Sequence, residues 1–225
     1  MTVRKLVMLR HGQTEYNAGS RMQGQLDTDL SDLGREQAVV AAEALAKRQP
    51  LLIVSSDLRR ALDTAVALGD RCGQQVSVDA RLRETHLGDW QGMTHLEVDE
   101  VAPGARLAWR DDARWAPHGG ESRVDVADRS LPLVRELVAD QPEWGADAAD
   151  RPVVLVAHGG LIAALTAALL DLPVDAWPVL GGLGNASWVQ LAGHTRRDGD
   201  PACLADIRWR LDVWNASAQV ASDVL

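Results

Sequence analysis

Three short, fully apolar runs at residues 6–9, 51–54 and 153–156 limit what this chain can fold into. Each run has the length of a buried strand, and a segment with apolar residues at helical spacing comes after each. These helical segments are predicted at residues 32–47, 58–72 and 161–170. Alternation of strand and helix is typical of a parallel sheet that is covered on both faces. We therefore expect an α/β fold of three layers, in which helices lie on both faces of a mostly parallel central sheet.

The remaining segments predict weaker elements and one insert. Further strands are predicted at residues 76–78, 186–191 and 207–214. The segment from about 94 to 150 lacks long apolar runs and predicts helices and loops, with one clear helix at residues 123–139. Ser122 and Asp125 form a near capping box at the start of that helix. Because the chain contains no low-complexity linker and no repeat, we expect residues 1–225 to form a single domain that carries this helical and loop insert.

The composition narrows the classes of partner. A formal net charge of −9 argues against a nucleic-acid binder, because such proteins neutralise phosphates with a surplus of Lys and Arg. No run approaches the roughly 20 apolar residues of a membrane helix, and residues 4–10 carry no secretory signal, so we expect a cytoplasmic protein with no membrane partner. Cys72 and Cys203 have no metal-ligand spacing and are expected to be reduced packing residues. An anionic substrate would have to meet a local cluster of arginines.

Two of the predicted strands end on the dipeptide His-Gly, at His11 and at His158. The carboxyl ends of parallel strands share one edge of a sheet, and ligands bind in the crevice outside that edge. Both histidines should therefore face the same crevice. Arg10 precedes the first histidine, Arg60 follows another apolar strand, and Glu84 follows a weaker one. The sequence thus predicts that two histidines and two or three arginines converge on one site, which Glu84 could join.

This set of residues suits phosphoryl transfer. Guanidinium groups match phosphate oxygens with forked donors, and backbone N–H groups at a helix start add more. The chain has neither a P-loop nor a Gly-x-Gly-x-x-Gly motif, so the site is not built for a nucleotide cofactor in the usual way. A histidine among arginines has a lowered pKa, stays neutral and can attack phosphorus, while Gly12 lets the backbone turn close to the ligand. Glu84 could protonate the leaving alkoxide and later accept a proton from water.

The order and spacing of these motifs resemble those of the histidine phosphatase superfamily, also called phosphoglycerate-mutase-like. The motifs that carry the resemblance are Arg10-His11-Gly12 with Thr14 and Asn17, the stretch 56–61 with Thr64-Ala65, Leu82-Arg83-Glu84 with Gly88, Trp90 and Gly92, and His158-Gly159. The resemblance covers about residues 5–191 and implies the fold expected above.

The resemblance also implies roles for individual residues. In this family the histidine of the first motif is the nucleophile, which falls on His11, and Glu84 holds the acid and base position. The phosphate pocket would be formed by Arg10, Asn17, Arg60, His158 and Gly159. Family members need no metal, which agrees with the lack of metal-ligand spacing in this chain, and we expect this chain to use no cofactor.

A closer resemblance within the superfamily extends to the stretches 20–28, 83–92 and 209–217. These stretches are similar to those of phosphatases that act on small phosphorylated sugar or glycerate derivatives, which implies a substrate of that class. Gln23 would then be a further phosphate contact. From the residues alone, the identity of the alcohol stays open.

Three other functions stay open beside this one. A broad-specificity acid phosphatase would use the same residues. A cofactor-dependent phosphoglycerate mutase would return the phosphoryl group to its substrate, but the segment between Glu84 and His158 is shorter and more acidic than the basic insert that such mutases carry. A non-catalytic binding module is disfavoured because every catalytic position is present.

The tryptophan-rich C-terminal region favours a homodimer.

Several other polar residues are expected to lie outside the site. Arg59 should point away from its neighbour on a helix and either face solvent or form a salt bridge. His86, His95 and His194 are expected at the surface. His118, which precedes a glycine-bearing helix entry, is expected either at the surface or at the rim of the substrate site.

Overall fold

The computed structural model describes residues 3–146 and 150–218. Residues 147–149 of the predicted insert, and residues 1–2 and 219–225 of the predicted domain, lie outside the described residues. The strands are β1 (Val3–Arg10), β2 (Leu52–Ser55), β3 (Ser77–Val78), β4 (Val153–Ala157), β5 (Trp188–Thr195) and β6 (Ile207–Ala216). The helices are α1 (Glu15–Ala18), α2 (Asp32–Ala46), α3 (Arg59–Cys72), α4 (His95–Val101), α5 (Ala105–Asp111), α6 (Arg123–Asp140) and α7 (Gly159–Leu169).

The six described strands form one sheet in the order β3-β2-β4-β1-β5-β6. The first four strands of that order are parallel to one another, as predicted. β5 pairs antiparallel with β1, and β6 pairs antiparallel with β5. Trp188, at the start of β5, pairs with Leu9 near the end of β1. The loop that enters β5 therefore lies at the carboxyl edge of the parallel strands, where the sequence predicts the site.

Helices cover both faces of the sheet, which confirms the predicted three-layer fold. Side chains alternate between the faces of a strand, so neighbouring residues of β1 enter different cores. Leu6 and Met8 pack with α6 and α7 on one face. Val7 and Leu9 pack with α2 and α3 on the other.

The helix starts and the predicted insert follow local rules. Ser31 caps α2 by accepting a hydrogen bond from the Gly34 N–H, and Ser122 and Asp125 form the predicted capping box of α6. α4 and α5 pack around a small apolar cluster that includes Trp90, beside the main cores. α6 is part of a main core, so the part of the predicted insert that lies outside both cores is the hairpin of α4 and α5. Within residues 3–146 and 150–218, no helix is both long enough and apolar enough to cross a bilayer.

Candidate active site

The carboxyl edge of β1 and β4 brings His11 and His158 together. These two strands are parallel neighbours, and each histidine follows the last residue of its strand. The ring centroids are 5.1 Å apart, and the side chains are 3% and 0% exposed, respectively. The two histidines therefore share one crevice, as the sequence predicts.

The hydrogen bonding of His11 fixes which ring nitrogen can react. Nδ1 lies 2.6 Å from the main-chain oxygen of Gly12. Because a carbonyl oxygen only accepts, Nδ1 must carry the hydrogen, which leaves the lone pair on Nε2. Burial and then the charges of Arg60 and Arg10 lower the pKa of His11 well below its ordinary value. The imidazole is thus neutral at physiological pH, with Nε2 as its nucleophilic atom.

His158 has the opposite arrangement. Its Nε2 lies 3.0 Å from the hydroxyl oxygen of Ser56, which also accepts a hydrogen bond from the Leu58 N–H. This arrangement favours the Ser56 hydroxyl as donor to Nε2 and places the ring hydrogen on Nδ1, which has no partner among the described residues. Burial, followed by the charge of Arg60, lowers the pKa of His158 well below its ordinary value. His158 can therefore donate one hydrogen bond to an anion from a neutral ring.

Arg60 supplies a buried cation at the start of α3. Its two terminal nitrogens donate to the main-chain oxygens of Leu26 and Gly24, at 2.7 and 2.8 Å. Its side chain is almost completely buried, and this burial lowers its pKa to about 10, although the nearby carboxylates of Glu84 and Asp27 oppose the shift. Arg60 therefore remains charged at neutral pH, and the loop before α2 fixes its planar fork.

Arg10, which precedes His11, and Arg59, which precedes Arg60, point in different directions. Arg10 donates a hydrogen bond to the main-chain oxygen of Leu183, in the loop that enters β5. Its charge reaches both buried histidines, since it contributes to the lowered pKa of each. Arg59 points to the surface, where it forms ion pairs with Asp27 and Asp29. Of the two expected alternatives for Arg59, solvent or a salt bridge, the structure shows the salt bridge.

Glu84 lies against the N-terminus of α7. One of its carboxylate oxygens accepts from the main-chain N–H groups of Thr85 and Leu161, at 2.8 and 3.1 Å, and the other accepts from Gly160, at 3.1 Å. A Cβ atom at Gly160 would lie 2.6 Å from the nearer carboxylate oxygen, so only glycine permits this approach. Two of the N–H groups at the start of α7 therefore hold Glu84, and the second carboxylate oxygen, with a single donor, keeps a lone pair that can carry a proton.

The side-chain oxygens of Asn17 and Gln23 both accept hydrogen bonds from other groups of the protein. The side-chain oxygen of Asn17 accepts from the Thr14 N–H, the Thr14 hydroxyl and Asn185 Nδ2. The side-chain oxygen of Gln23 accepts from the Thr28 hydroxyl at 2.6 Å. With the oxygens engaged, the NH₂ groups are the ends of these amides that can donate to an anion.

Asn185 is a residue of this site that sequence reasoning missed. Its Nδ2 donates to the main-chain oxygen of His11 as well as to Asn17, at 3.2 Å in both cases. The residue lies in the loop that enters β5, and only the antiparallel pairing of β5 with β1 brings this loop to the histidines. The sequence carries no motif around Asn185 other than an Asn-Ala-Ser tripeptide, so it gave no signal for this role.

Gly12 is needed for packing, in addition to its place beside the ligand crevice. A Cβ atom at Gly12 would lie 2.2 Å from the main-chain oxygen of Gly34, at the start of α2. The Gly12 N–H donates to the hydroxyl of Thr64 in α3, at 3.1 Å. The loop after β1 is thus held between two helices, which fixes the position of His11.

The remaining histidines lie apart from this cluster. His118 Nδ1 lies 2.9 Å from Asp89, and the His118 side chain is 92% exposed. His86, His95 and His194 are each half-buried rather than fully exposed. Among residues 3–146 and 150–218, no group of three or more His, Cys, Asp or Glu side chains is arranged to hold a metal ion.

Comparisons with known proteins agree with this geometry. The family model "Histidine phosphatase superfamily (branch 1)" matches residues 6–202. The chain is 88% identical over 225 residues to glucosyl-3-phosphoglycerate phosphatase from Mycolicibacterium vanbaalenii, and the match covers 100% of both chains. It is 32% identical over 225 residues to metal-independent phosphoserine phosphatase from Arabidopsis thaliana, covering 98% of this chain and 84% of that protein. A solved structure of a mycobacterial glucosyl-3-phosphoglycerate phosphatase in complex with VO3 has a TM-score of 0.90 and 76% identity, covering 95% of this chain and 100% of the other.

Proposed function

The chain belongs to the histidine phosphatase superfamily, and we propose that it hydrolyses glucosyl-3-phosphoglycerate to glucosylglycerate and phosphate through a phosphohistidine at His11. The observation that carries the chemistry is the state of His11, a buried neutral imidazole with its lone pair on Nε2 and two arginines beside it. The observation that supports this substrate is the identity of 88% with a phosphatase of that name over its whole length.

In the first step, the phosphoryl group of the ester binds between Arg10 and Arg60, and His158 donates from Nδ1. The NH₂ groups of Asn17 and Gln23, together with the Gly159 N–H, add donors to the same oxygens. His11 Nε2 attacks phosphorus, the P–O bond to the alcohol breaks, and its electron pair leaves on the alkoxide. The arginines stabilise the transition state because negative charge increases on the phosphoryl oxygens as these bonds form and break.

Two groups complete this step. Glu84 in its protonated form gives its proton to the leaving alkoxide, which would otherwise be a poor leaving group. The His11 ring becomes positively charged as its nitrogen bonds to phosphorus. The Gly12 carbonyl oxygen, 2.6 Å from Nδ1, accepts the hydrogen bond of the charged ring and stabilises it.

In the second step, water replaces the alcohol. The Glu84 carboxylate accepts a proton from the water, whose oxygen attacks phosphorus. The P–N bond breaks, its electron pair returns to His11 Nε2, and inorganic phosphate leaves. Glu84 is then protonated again and His11 is neutral, so the site is ready for another substrate.

We also propose that residues 1–225 act as one domain and assemble as a homodimer. One sheet carries both main cores, which supports the single domain. β6 is an edge strand of the described sheet and belongs to the tryptophan-rich C-terminal region, which supports pairing there. Light scattering coupled to size-exclusion chromatography gives the mass, and a monomer over the working concentration range would contradict the dimer.

The experiment that tests the activity is phosphate release from a panel of esters, with and without EDTA. The panel contains glucosyl-3-phosphoglycerate, mannosyl-3-phosphoglycerate, 3-phosphoglycerate and p-nitrophenyl phosphate. We expect the highest kcat/KM for the first compound and no effect of EDTA. Equal rates on all four esters would indicate a broad-specificity phosphatase, and conversion of 3-phosphoglycerate to 2-phosphoglycerate without phosphate release would indicate a mutase.

The intermediate can be tested separately. Rapid quench of the enzyme with a ³²P-labelled ester should trap label on the protein that is labile in acid and stable in base. His11→Ala should remove both the label and the activity. Activity of this variant near that of the wild type would rule out His11 as the nucleophile.

A further inference from the structure

We propose that Arg129 and Glu121 form a positioning pair that holds Glu84 in place for proton transfer. This inference rests on the proposed function of Glu84 as the acid and base. Neither Arg129 nor Glu121 belongs to a sequence motif of the site, and neither is proposed to touch the substrate. Their effect would be exerted through the main chain on either side of Glu84.

Arg129 lies in α6 and joins α6 to the segment that carries Glu84. Its Nη2 donates to the main-chain oxygen of Glu84 at 2.9 Å, and its Nη1 donates to the main-chain oxygen of Arg81 at 2.7 Å. One guanidinium group therefore spans the turn that leads into the acid. Because α6 is packed in a main core, this attachment is made to a rigid part of the fold.

Glu121 extends the attachment to the other side of Glu84. It accepts from Arg129 Nε and Nη2 at 2.8 and 3.0 Å, in a bidentate ion pair. One of its oxygens also accepts from the His86 N–H at 2.8 Å. The pair thus holds main-chain groups at Arg81, Glu84 and His86, and each side chain of the pair fixes the rotamer of the other.

The side chain of Glu84 has a separate anchor, at the start of α7. Its carboxylate accepts from the N–H groups of Gly160 and Leu161, while its main-chain oxygen accepts from Arg129 and from Gln25 Nε2. Both ends of the residue are therefore fixed. Loss of Arg129 would leave Gln25 Nε2 to hold the main-chain oxygen of Glu84. That end of the residue would be held less firmly while the carboxylate stays on α7, so the proton would be carried at the wrong place or angle. A displacement of about 1 Å in a reacting group can cost on the order of 10²-fold in rate.

Arg106 and Asp99 provide a matched control. They form another bidentate ion pair, through Arg106 Nε and Nη2, in the hairpin of α4 and α5. The Arg106 side chain is 20% exposed, close to the 22% of Arg129. The two arginines are therefore alike in exposure and each forms a bidentate ion pair, although Asp99, at 42%, is more exposed than Glu121, at 23%. Of the two pairs, only that of Arg129 and Glu121 bonds to the main chain around Glu84.

The test compares esters whose leaving groups differ in their need for a proton. An alkoxide, as in a sugar or glycerate phosphate, needs the acid, whereas p-nitrophenolate leaves without one. We expect Arg129→Met to lower kcat/KM for glucosyl-3-phosphoglycerate by about 10- to 100-fold, with a change of less than about threefold for p-nitrophenyl phosphate. Arg129→Lys, which keeps the charge and one donor, should recover part of the loss. Glu121→Gln, which is isosteric, should show the same selectivity and serves if Arg129→Met does not fold.

Arg106→Met is the control and should leave both values within about twofold of the wild type. A loss of equal size on both esters in Arg129→Met and Glu121→Gln, or an equal selective loss in Arg106→Met, would overturn the inference. Glu84→Gln in the same assay tests the proposed acid role of Glu84 separately from the positioning role of Arg129. If Glu84→Gln itself shows no dependence on the leaving group, the proposed acid is wrong; if it does and the Arg129 variants do not, only the positioning role is wrong.

Discussion

The two buried histidines should make the stability of the folded protein fall as the pH drops below about 6.5. Burial and the neighbouring arginines lower the pKa of both His11 and His158 in the folded state. In the unfolded chain each returns to about 6.5. Between these values the unfolded state binds a proton on each histidine that the folded state does not bind. The stabilisation is therefore complete above about pH 6.5 and is lost progressively below it.

At any pH between the folded-state and unfolded-state pKa values, the size of the effect follows from the number of protons. One unmatched proton changes the free energy of unfolding by about 1.4 kcal/mol per pH unit. Two histidines therefore account for up to about 2.7 kcal/mol between pH 5.5 and pH 4.5, the full amount when both folded-state pKa values lie below that range. Because a typical domain is stable by only about 5–15 kcal/mol, this loss would be a large part of the total.

Urea unfolding measured by tryptophan fluorescence from pH 7 to pH 4.5 tests this, since the chain contains 8 tryptophans. The buffers must be free of phosphate, because a ligand that binds the folded state would stabilise it. We expect His11→Asn and His158→Asn each to reduce the slope below pH 6 by about 1.4 kcal/mol per pH unit. His118→Asn, which removes a histidine whose side chain is 92% exposed, is the control. If the curves of wild type and His11→Asn run parallel below pH 6, the nucleophile is not held neutral by its surroundings.

Three substitutions test other parts of the site. Asn17→Asp keeps the acceptor oxygen but replaces the NH₂ donor with a negative charge, so the inhibition constant of inorganic phosphate should rise by about tenfold or more. An unchanged inhibition constant would exclude contact between Asn17 and the anion. Gly160→Ala displaces the Glu84 carboxylate, so kcat should fall by about 10- to 100-fold at an unchanged inhibition constant for phosphate; a normal kcat would contradict the observed close approach. Gly12→Ala places a Cβ atom against the Gly34 carbonyl and should cost about 1–3 kcal/mol of stability in urea unfolding, whereas wild-type stability would show that the loop can shift without strain.

The strands that carry the two histidines could be predicted because their signal is local. β1 and β4 are apolar runs buried on both faces, and the change from apolar residues to Arg-His or His-Gly marks the edge of the core. β3 has only two residues and exposed side chains, which is why its signal was weak. The antiparallel pairing of β5 with β1, and of β6 with β5, depends on the path of the chain after α7, and no local pattern of residues specifies that path.

The residues around Glu84 could not be predicted in the same way. The motif placed Glu84 at the site by resemblance, but its contacts come from α6, from α7 and from Gln25, which are far apart in sequence. The helix that supplies Arg129 was predicted at nearly its observed bounds, yet as part of an insert rather than of a core. Periodicity gives the apolar face of a helix, but it does not give the partner of that face.

The same electrostatic arrangement explains both the stability of the free site and its affinity for phosphate. Burial of Arg60 costs solvation, and two main-chain oxygens and the nearby Glu84 carboxylate offset part of that cost. Arg60 Nε and His158 Nδ1 nevertheless have no partner among the described residues, so two buried donors of the site remain unsatisfied by the protein. An oxyanion satisfies such donors and also balances the charge that lowers the pKa of His11. Because an anion that raises the pKa of His11 must by linkage bind more tightly to the protonated ring, phosphate inhibition should strengthen as the pH falls through that pKa, while the neutral imidazole that attacks phosphorus is lost.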